Sequence, residues 1–336
     1  MRQVVVAVLV VVLVGCAGRP AAIDLGAWQA PLGREHPLTG KIWDTRAGRF
    51  VSSDALVAAL AGSRYVLLGE RHDNPDHHRV QAALVRALLA AGRRPAVAFE
   101  MFTPDDAPAM ARHLAAAPRD AAGLGEAVNW KRSGWPDWAH YQPIAQAALD
   151  AGVPVVAANL PPATARALAR GNRAALPETL AARYDLDRPL PGGAQAALTA
   201  EIDRAHCGFI PADRLGGMVL AQRARDATLA ESMIGAAQDG AVLIAGAGHV
   251  RDDRGVPLYL RARAPDASIA TVAPMEVREG WTRPAQYGGT YDNERLPFDW
   301  VWFTPRMDEG DPCAKLRPPT VPPKSERYPR QARKLA

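Results

Sequence analysis

No run of roughly 20 apolar residues occurs anywhere in the 336-residue chain, which excludes a multi-span membrane protein. No unit of 20–50 residues recurs, so solenoid and propeller arrays are excluded as well. The 28 Gly and 29 Pro follow no period, which rules out collagen-like structure. The nucleophile motif G-x-S-x-G is missing, which disfavours acyl-enzyme chemistry but leaves direct attack by water open. Aromatic residues make up only 6% of the chain, so any clustering of them stands out. What is present, 48% hydrophobic and 22% charged residues, is too apolar for disorder and enough for a sizeable core.

The net charge of +5 would suggest a nucleic-acid partner if it were spread over the fold. It is not. Residues 315–336 hold Lys315, Arg317, Lys324, Arg327, Arg330, Arg333 and Lys334 against the single acid Glu326. That surplus exceeds the whole chain's, so the remainder is slightly acidic and no nucleic-acid partner is expected. Residues 306–336 read as a Pro-rich basic tail without a stable fold.

At the other end, Arg2 precedes an apolar run from Val4 to Val14, followed by Gly15 and Cys16. The run is too short to span a bilayer and fits the h-region of a signal peptide over 1–15. Leu13-Val14-Gly15-Cys16 resembles the lipobox of bacterial lipoproteins, which implies lipidation at Cys16 and a lipid-anchored envelope protein. Ala17 in the next position implies sorting to the outer membrane, facing the periplasm. Residues 16–40 then read as a spacer. Cys207 and Cys313 remain, and in an oxidising compartment an even pair reads as a disulfide, with two buried thiols as the other possibility.

Between these ends, short apolar runs recur at Tyr65–Leu68, Ala96–Phe99, Val153–Ala158, Ala241–Ala245, Ser268–Ala273 and Trp300–Thr304. Amphipathic segments separate the first four, among them helices expected at Pro75–Ala91, Asp137–Ala151 and Leu215–Ile234. This rhythm predicts an α/β domain over 41–305, with a mostly parallel central sheet covered by helices on both faces. Residues 161–235 read as a helical insertion or lid.

Ligands of such sheets bind beyond the carboxyl ends of the strands. The residues there are Gly69-Glu70-Arg71-His72, Glu100, Asn159 and Gly246-Ala247-Gly248-His249. Carboxylate and imidazole side chains in these numbers point to one shared site. The cluster Glu70, His72, Glu100 and His249 can supply a general base, or a first shell for zinc or manganese. His77, by helical spacing, either looks into the same crevice or is a core histidine. His78 is expected to point to solvent. Gln222 and Asp226, four apart on a helix, read as a buttress of the site.

The paired Gly-x-x-His motifs, Gly69 to His72 and Gly246 to His249, resemble the haem-binding uptake, Tiki and erythromycin-esterase superfamily, most closely its ChaN branch. LLGERHDNPDHHRVQ at 67–81, VAFEMF at 97–102, GWPDWAHYQPI at 134–144 and AVLIAGAGHV at 241–250 carry the resemblance. It implies haem binding through a tyrosine ligand, possible cofacial haem pairs in a homodimer, and service to an outer-membrane haem transport system. The erythromycin-esterase branch implies instead a hydrolase with His72 as base, and the Tiki branch a metal site.

A haem pocket is then to be sought where the scarce aromatics gather. Residues 128–141, VNWKRSGWPDWAHY, place Trp130, Trp135 and Trp138 beside Lys131 and Arg132. The tryptophans suit an apolar slot and the cations suit propionates. Tyr141 is the ligand expected there, ahead of Tyr184, Tyr259 and His140, although Trp and Tyr at helical spacing also fit a plain core. The leading expectation is haem binding without catalysis, with His72, His77 and His249 near the cofactor.

Overall fold

The computed structural model describes residues 23–236, 238–291, 295–310 and 313. The signal segment, Cys16 and residues 314–336 of the tail lie outside them. Eight strands form one sheet: β1 (Ile42–Asp44), β2 (Arg49–Val51), β3 (Tyr65–Leu68), β4 (Ala96–Phe99), β5 (Val155–Ala157), β6 (Ala241–Ile244), β7 (Ile269–Glu276) and β8 (Trp300–Thr304). The order across it is β2-β1-β8-β7-β3-β6-β4-β5. The pairs from β8 through to β5 are parallel, and the two pairs at the other edge, β8–β1 and β1–β2, are antiparallel.

Both faces are covered, as continuous apolar strands require. Tyr65 and Leu67 of β3 join one buried cluster with Leu243, Ala224 and Met233. Val66 and Leu68 join the other with Leu84, Phe99 and Ile144. This is the period-two alternation of a strand buried on both sides. The helix Ala212–Ala236 supplies the first layer, and Pro75–Ala90 and Trp138–Asp150 supply the second. Asn74 caps Pro75–Ala90 by accepting from the Asp76 amide, with Pro75 in the first turn. The helical insertion comprises helices Pro162–Ala169, Glu178–Tyr184 and Ala194–Ala205, followed by the long helix from Ala212.

Two segments expected to lie outside the domain pack on it. Ala30 and Leu38 are buried, and the amides of Gln29 and Ala30 donate to the Asp76 carboxylate. Leu32 pairs with Arg306, so the chain continues past β8 against the former spacer. The strands β1 (IWD) and β2 (RFV) are not legible in sequence because neither lies in a continuous apolar run.

Candidate active site at the strand ends

Strand order brings the site together. β3, β6, β4 and β5 are consecutive neighbours. The residues that follow them, Glu70 with His72, Gly246 with His249, Glu100, and Asn159, therefore stand side by side at strand spacing. The two Gly-x-x-His motifs lie on adjacent strands, and each glycine makes room for the other motif. A Cβ on Gly69 would meet Ala247 Cα at 3.3 Å, and one on Gly246 would meet His72 Nε2 at 2.9 Å.

Two networks result. In the first, His72 Nδ1 lies 2.7 Å from Glu70 Oε1, which also accepts a 3.0 Å bond from the Tyr141 hydroxyl. His78 Nδ1 stands 3.1 Å from Glu70 Oε2 without hydrogen-bond alignment, and its Nε2 bonds the His72 carbonyl at 2.9 Å. In the second, Glu100 accepts from Arg225 and from the Gly246 amide, the latter at 2.7 Å, while His249 Nε2 lies 3.3 Å away. His249 Nδ1 is held by Asp226, and Asn159 Nδ2 donates to the Glu100 carbonyl.

Burial opposes charge throughout, and the partners overcome it at most positions. The Glu70 carboxyl, wholly buried, is held well below its ordinary range by the charges of His78 and His72 and by the His72 hydrogen bond. Glu100 is likewise lowered, chiefly by His249 and Arg225. His72 and His78 are raised against their own burial, mainly by Glu70. His249 is raised to about 9 by Glu100 and Asp226. Asp226 is the exception, where burial prevails and raises the carboxyl. Of these groups, His72 reaches outward: its side chain is 37% exposed, against 1% for His78. An imidazole fixed through one nitrogen by a buried carboxylate, on a partly exposed side chain, is equipped to take a proton.

Several expectations change. His78 is not solvated: it is buried against Tyr141 at 4.3 Å and belongs to the Glu70 network. The helix N-terminus turns it inward, where simple wheel geometry assigned it to the outer face. His77 meets both expectations: it is buried in the core and also lines the strand-end cavity. Its Nδ1 accepts from the Arg71 amide, so its Nε2 hydrogen donates to Thr304 Oγ1, and burial lowers its pKa to about 3. No slot opens between the tryptophans. Trp130 and Trp138 pack on each other, on Phe102 and around Tyr141, with their indole N–H groups bound to Pro136 and Ala121 carbonyls. Only Trp135 of the three is half-buried, edge-on to His72 at 4.9 Å, while Lys131 and Arg132 are exposed. Tyr141 is fully buried, and burial together with Glu70 raises its phenol far above the usual range. Tyr184, at the end of an insertion helix, and Tyr259 are both buried, bound to Glu231 and Arg223 respectively.

The divalent-metal expectation is not met either. Among the described residues, no group of three or more His, Cys, Asp or Glu side chains is arranged to hold a metal ion. Glu100 is instead taken up by Arg225 and Gly246. Arg225 went unrecognised in the sequence, where its only signal was helical spacing beside Gln222 and Asp226. Cys207 and Cys313 are joined by a disulfide, with 5.6 Å between their Cα atoms.

Next to the networks lies a cavity of about 960 Å³, lined by Glu70, Arg71, Ala247, Arg278, Tyr287 and Tyr291 among others. Arg306, Asp308 and Glu309 contribute to its wall.

A structure described as cofacial haem binding to ChaN of Campylobacter jejuni superposes with a TM-score of 0.60 at 20% identity, covering 78% of this chain and 95% of that one. The type III effector HopBA1 matches at 15% identity over 82% of this chain and 97% of its own, with a TM-score of 0.41. An erythromycin esterase variant in its open conformation matches at 13% identity over 66% and 72%, with a TM-score of 0.36. No curated protein sequence matches. The family described as "Haem-binding uptake, Tiki superfamily, ChaN" matches residues 56–260, a span that takes in Glu70, His72, Glu100, Tyr141, Arg225 and His249. With both Gly-x-x-His motifs and the strand-end networks inside that match, the chain belongs to the haem-binding uptake, Tiki superfamily, ChaN family.

Proposed function

We propose that the protein binds haem at the cell envelope, anchored by lipid at Cys16 on the outer membrane, and serves haem or iron uptake without catalysing a reaction. Membership of the haem-binding family is the observation that carries this reading. The strand-end cavity supports it. At about 960 Å³ it can admit a porphyrin, Met275, Tyr287 and Tyr291 offer apolar walls, and Arg278 and Arg306 suit propionates.

A tyrosine ligand to ferric iron remains part of the proposal. Tyr141 can serve only after its bond to Glu70 is released. Tyr291 lies on the cavity wall, with its phenol raised by burial to about 12, and needs no such release. The ChaN structure's cofacial haems extend the proposal to a haem-bridged homodimer. Haem titration of the purified protein tests all of this. Saturable Soret binding is expected, lost in Tyr141→Phe or Tyr291→Phe according to the ligand, with sedimentation showing dimers on loading. Absence of saturable binding sinks the reading. Envelope fractionation of wild type and Cys16→Ser tests the anchor, which predicts release of the variant from membranes.

A second reading, hydrolysis by activated water, is favoured by His72 held through Nδ1 by Glu70. Hydrolytic activity abolished in both Glu70→Gln and His72→Ala, without Soret binding, would decide for it.

A further inference from the structure

The last described segment after β8 forms part of the cavity wall and is fastened at several points. Leu32 and Arg306 exchange backbone hydrogen bonds at 3.1 and 2.8 Å. The Pro305 carbonyl accepts from Asn74 at 3.1 Å, and the Met307 amide donates to Glu276 Oε1 at 3.1 Å. Beyond Met307 the fastening changes character. Asp308 meets Arg71 Nη2 at 3.0 Å, but the two side chains are 53% and 39% exposed, and pairs so exposed hold weakly. Arg71 is shared besides with Glu276 and Asp73. The strong restraint is covalent: Cys313 is joined to Cys207, in the turn that follows the insertion helix Ala194–Ala205.

Two features suggest that this tie is more than a staple. Asp308, Glu309 and Gly310 line the cavity together with Glu70, Arg71 and Ala247, so the tied segment forms part of the wall of the space beside the site. Cys207 also has φ +62°, a left-handed conformation that L-residues with a side chain rarely adopt. Released, its turn has a local reason to relax. Neither cysteine is buried, so a dithiol can reach the bond.

We propose that residues 305–310 are a strap across the strand-end cavity, locked to the helical insertion by the Cys207–Cys313 disulfide, and that reduction by a dithiol opens the cavity to its ligand. The ligand part rests on the haem reading; the strap itself does not. The step is a thiol–disulfide exchange. A thiolate of the dithiol attacks one protein sulfur, the S–S bond breaks, and the second dithiol sulfur resolves the mixed disulfide. Cys207 and Cys313 gain two electrons and two protons, and the dithiol leaves as its own disulfide. With the lock gone, the exposed Arg71–Asp308 pair and the Arg306–Glu309 pair are what hold the segment beyond Met307 among the described residues.

The test compares oxidised protein, dithiothreitol-treated protein and the Cys207→Ser/Cys313→Ser double variant by amide hydrogen exchange and hemin association. Reduction is expected to speed exchange at 308–310 while the Met307 amide stays protected. Hemin association is expected to rise about tenfold, as follows if the open fraction rises by that factor. Unchanged exchange at 308–310 in the reduced protein overturns the strap. Faster exchange with unchanged hemin association overturns its role as a gate. If hemin binds in neither redox state, the haem reading fails, and the exchange data still decide for or against the strap. Should the double variant not fold, the reduced wild type gives the answer alone.

Discussion

His72 Nε2 stands 2.9 Å from the point at which a side chain on Gly246 would begin. Gly246 has φ −55°, a value any residue adopts, so what its lack of a side chain provides is space and not backbone freedom.

Gly246→Ala should therefore push His72 out of its bond with Glu70. Overpacking of this kind costs about 1–3 kcal/mol, read from urea unfolding. The double variant with His72→Ala should recover most of that loss. A full, unrelieved loss in the double variant would mean that the clash lies elsewhere.

His77 should make the fold acid-sensitive. Its folded pKa is about 3, below the unfolded value near 6.5, so between these limits the unfolded chain binds the extra proton. Stability then rises with pH across that window, by at most about 1.4 kcal/mol per pH unit for one group. His77→Gln should lose this part of the slope between pH 4 and 6. An identical pH dependence in wild type and variant would show that His77 is protonated in the fold.

His249 carries the opposite sign. Raised to about 9, it binds its proton more tightly folded than unfolded. Its contribution is complete below about pH 6.5 and is lost as pH climbs through 9. Asp226→Asn keeps an acceptor for Nδ1 but removes a charge. The imidazole titration followed by NMR should shift to lower pH, and stability at pH 7 should fall. An unmoved titration would assign the shift to Glu100 alone.

The tryptophans separate core from surface. Trp130→Ala opens a cavity among Phe102, Trp138 and Tyr141 and should cost about 3–5 kcal/mol. Trp135→Ala, at a half-buried position, should cost under about 1 kcal/mol while changing the His72 ring environment. Equal costs would mean that Trp135 is as much a part of the core as Trp130.

Much of this molecule is legible in residues 65–304. Continuous apolar runs separated by helical periodicity specify β3 to β8 and a sheet buried on both faces. Polar residues at the ends of those runs mark Glu70, His72, Glu100 and His249. This works because strand burial and helix amphipathicity are local properties of the chain, and chemistry at a strand end follows directly after a recognisable run.

What only the tertiary structure decides is which of these residues meet. Sequence order gives no strand order, and it is the neighbouring of β6 and β4 that brings Glu100 to His249 and to the Gly246 amide, while the helix Ala212–Ala236 adds Arg225. The aromatic cluster at 130–141 shows the same limit. Composition sees tryptophans gathered, but whether they flank a ligand or one another depends on the helix packed against them. Here Trp130 and Trp138 close around Tyr141. The chain's residues fix which groups are available for chemistry; long-range packing, which no local pattern encodes, fixes which stay in solvent and which are held together in the interior.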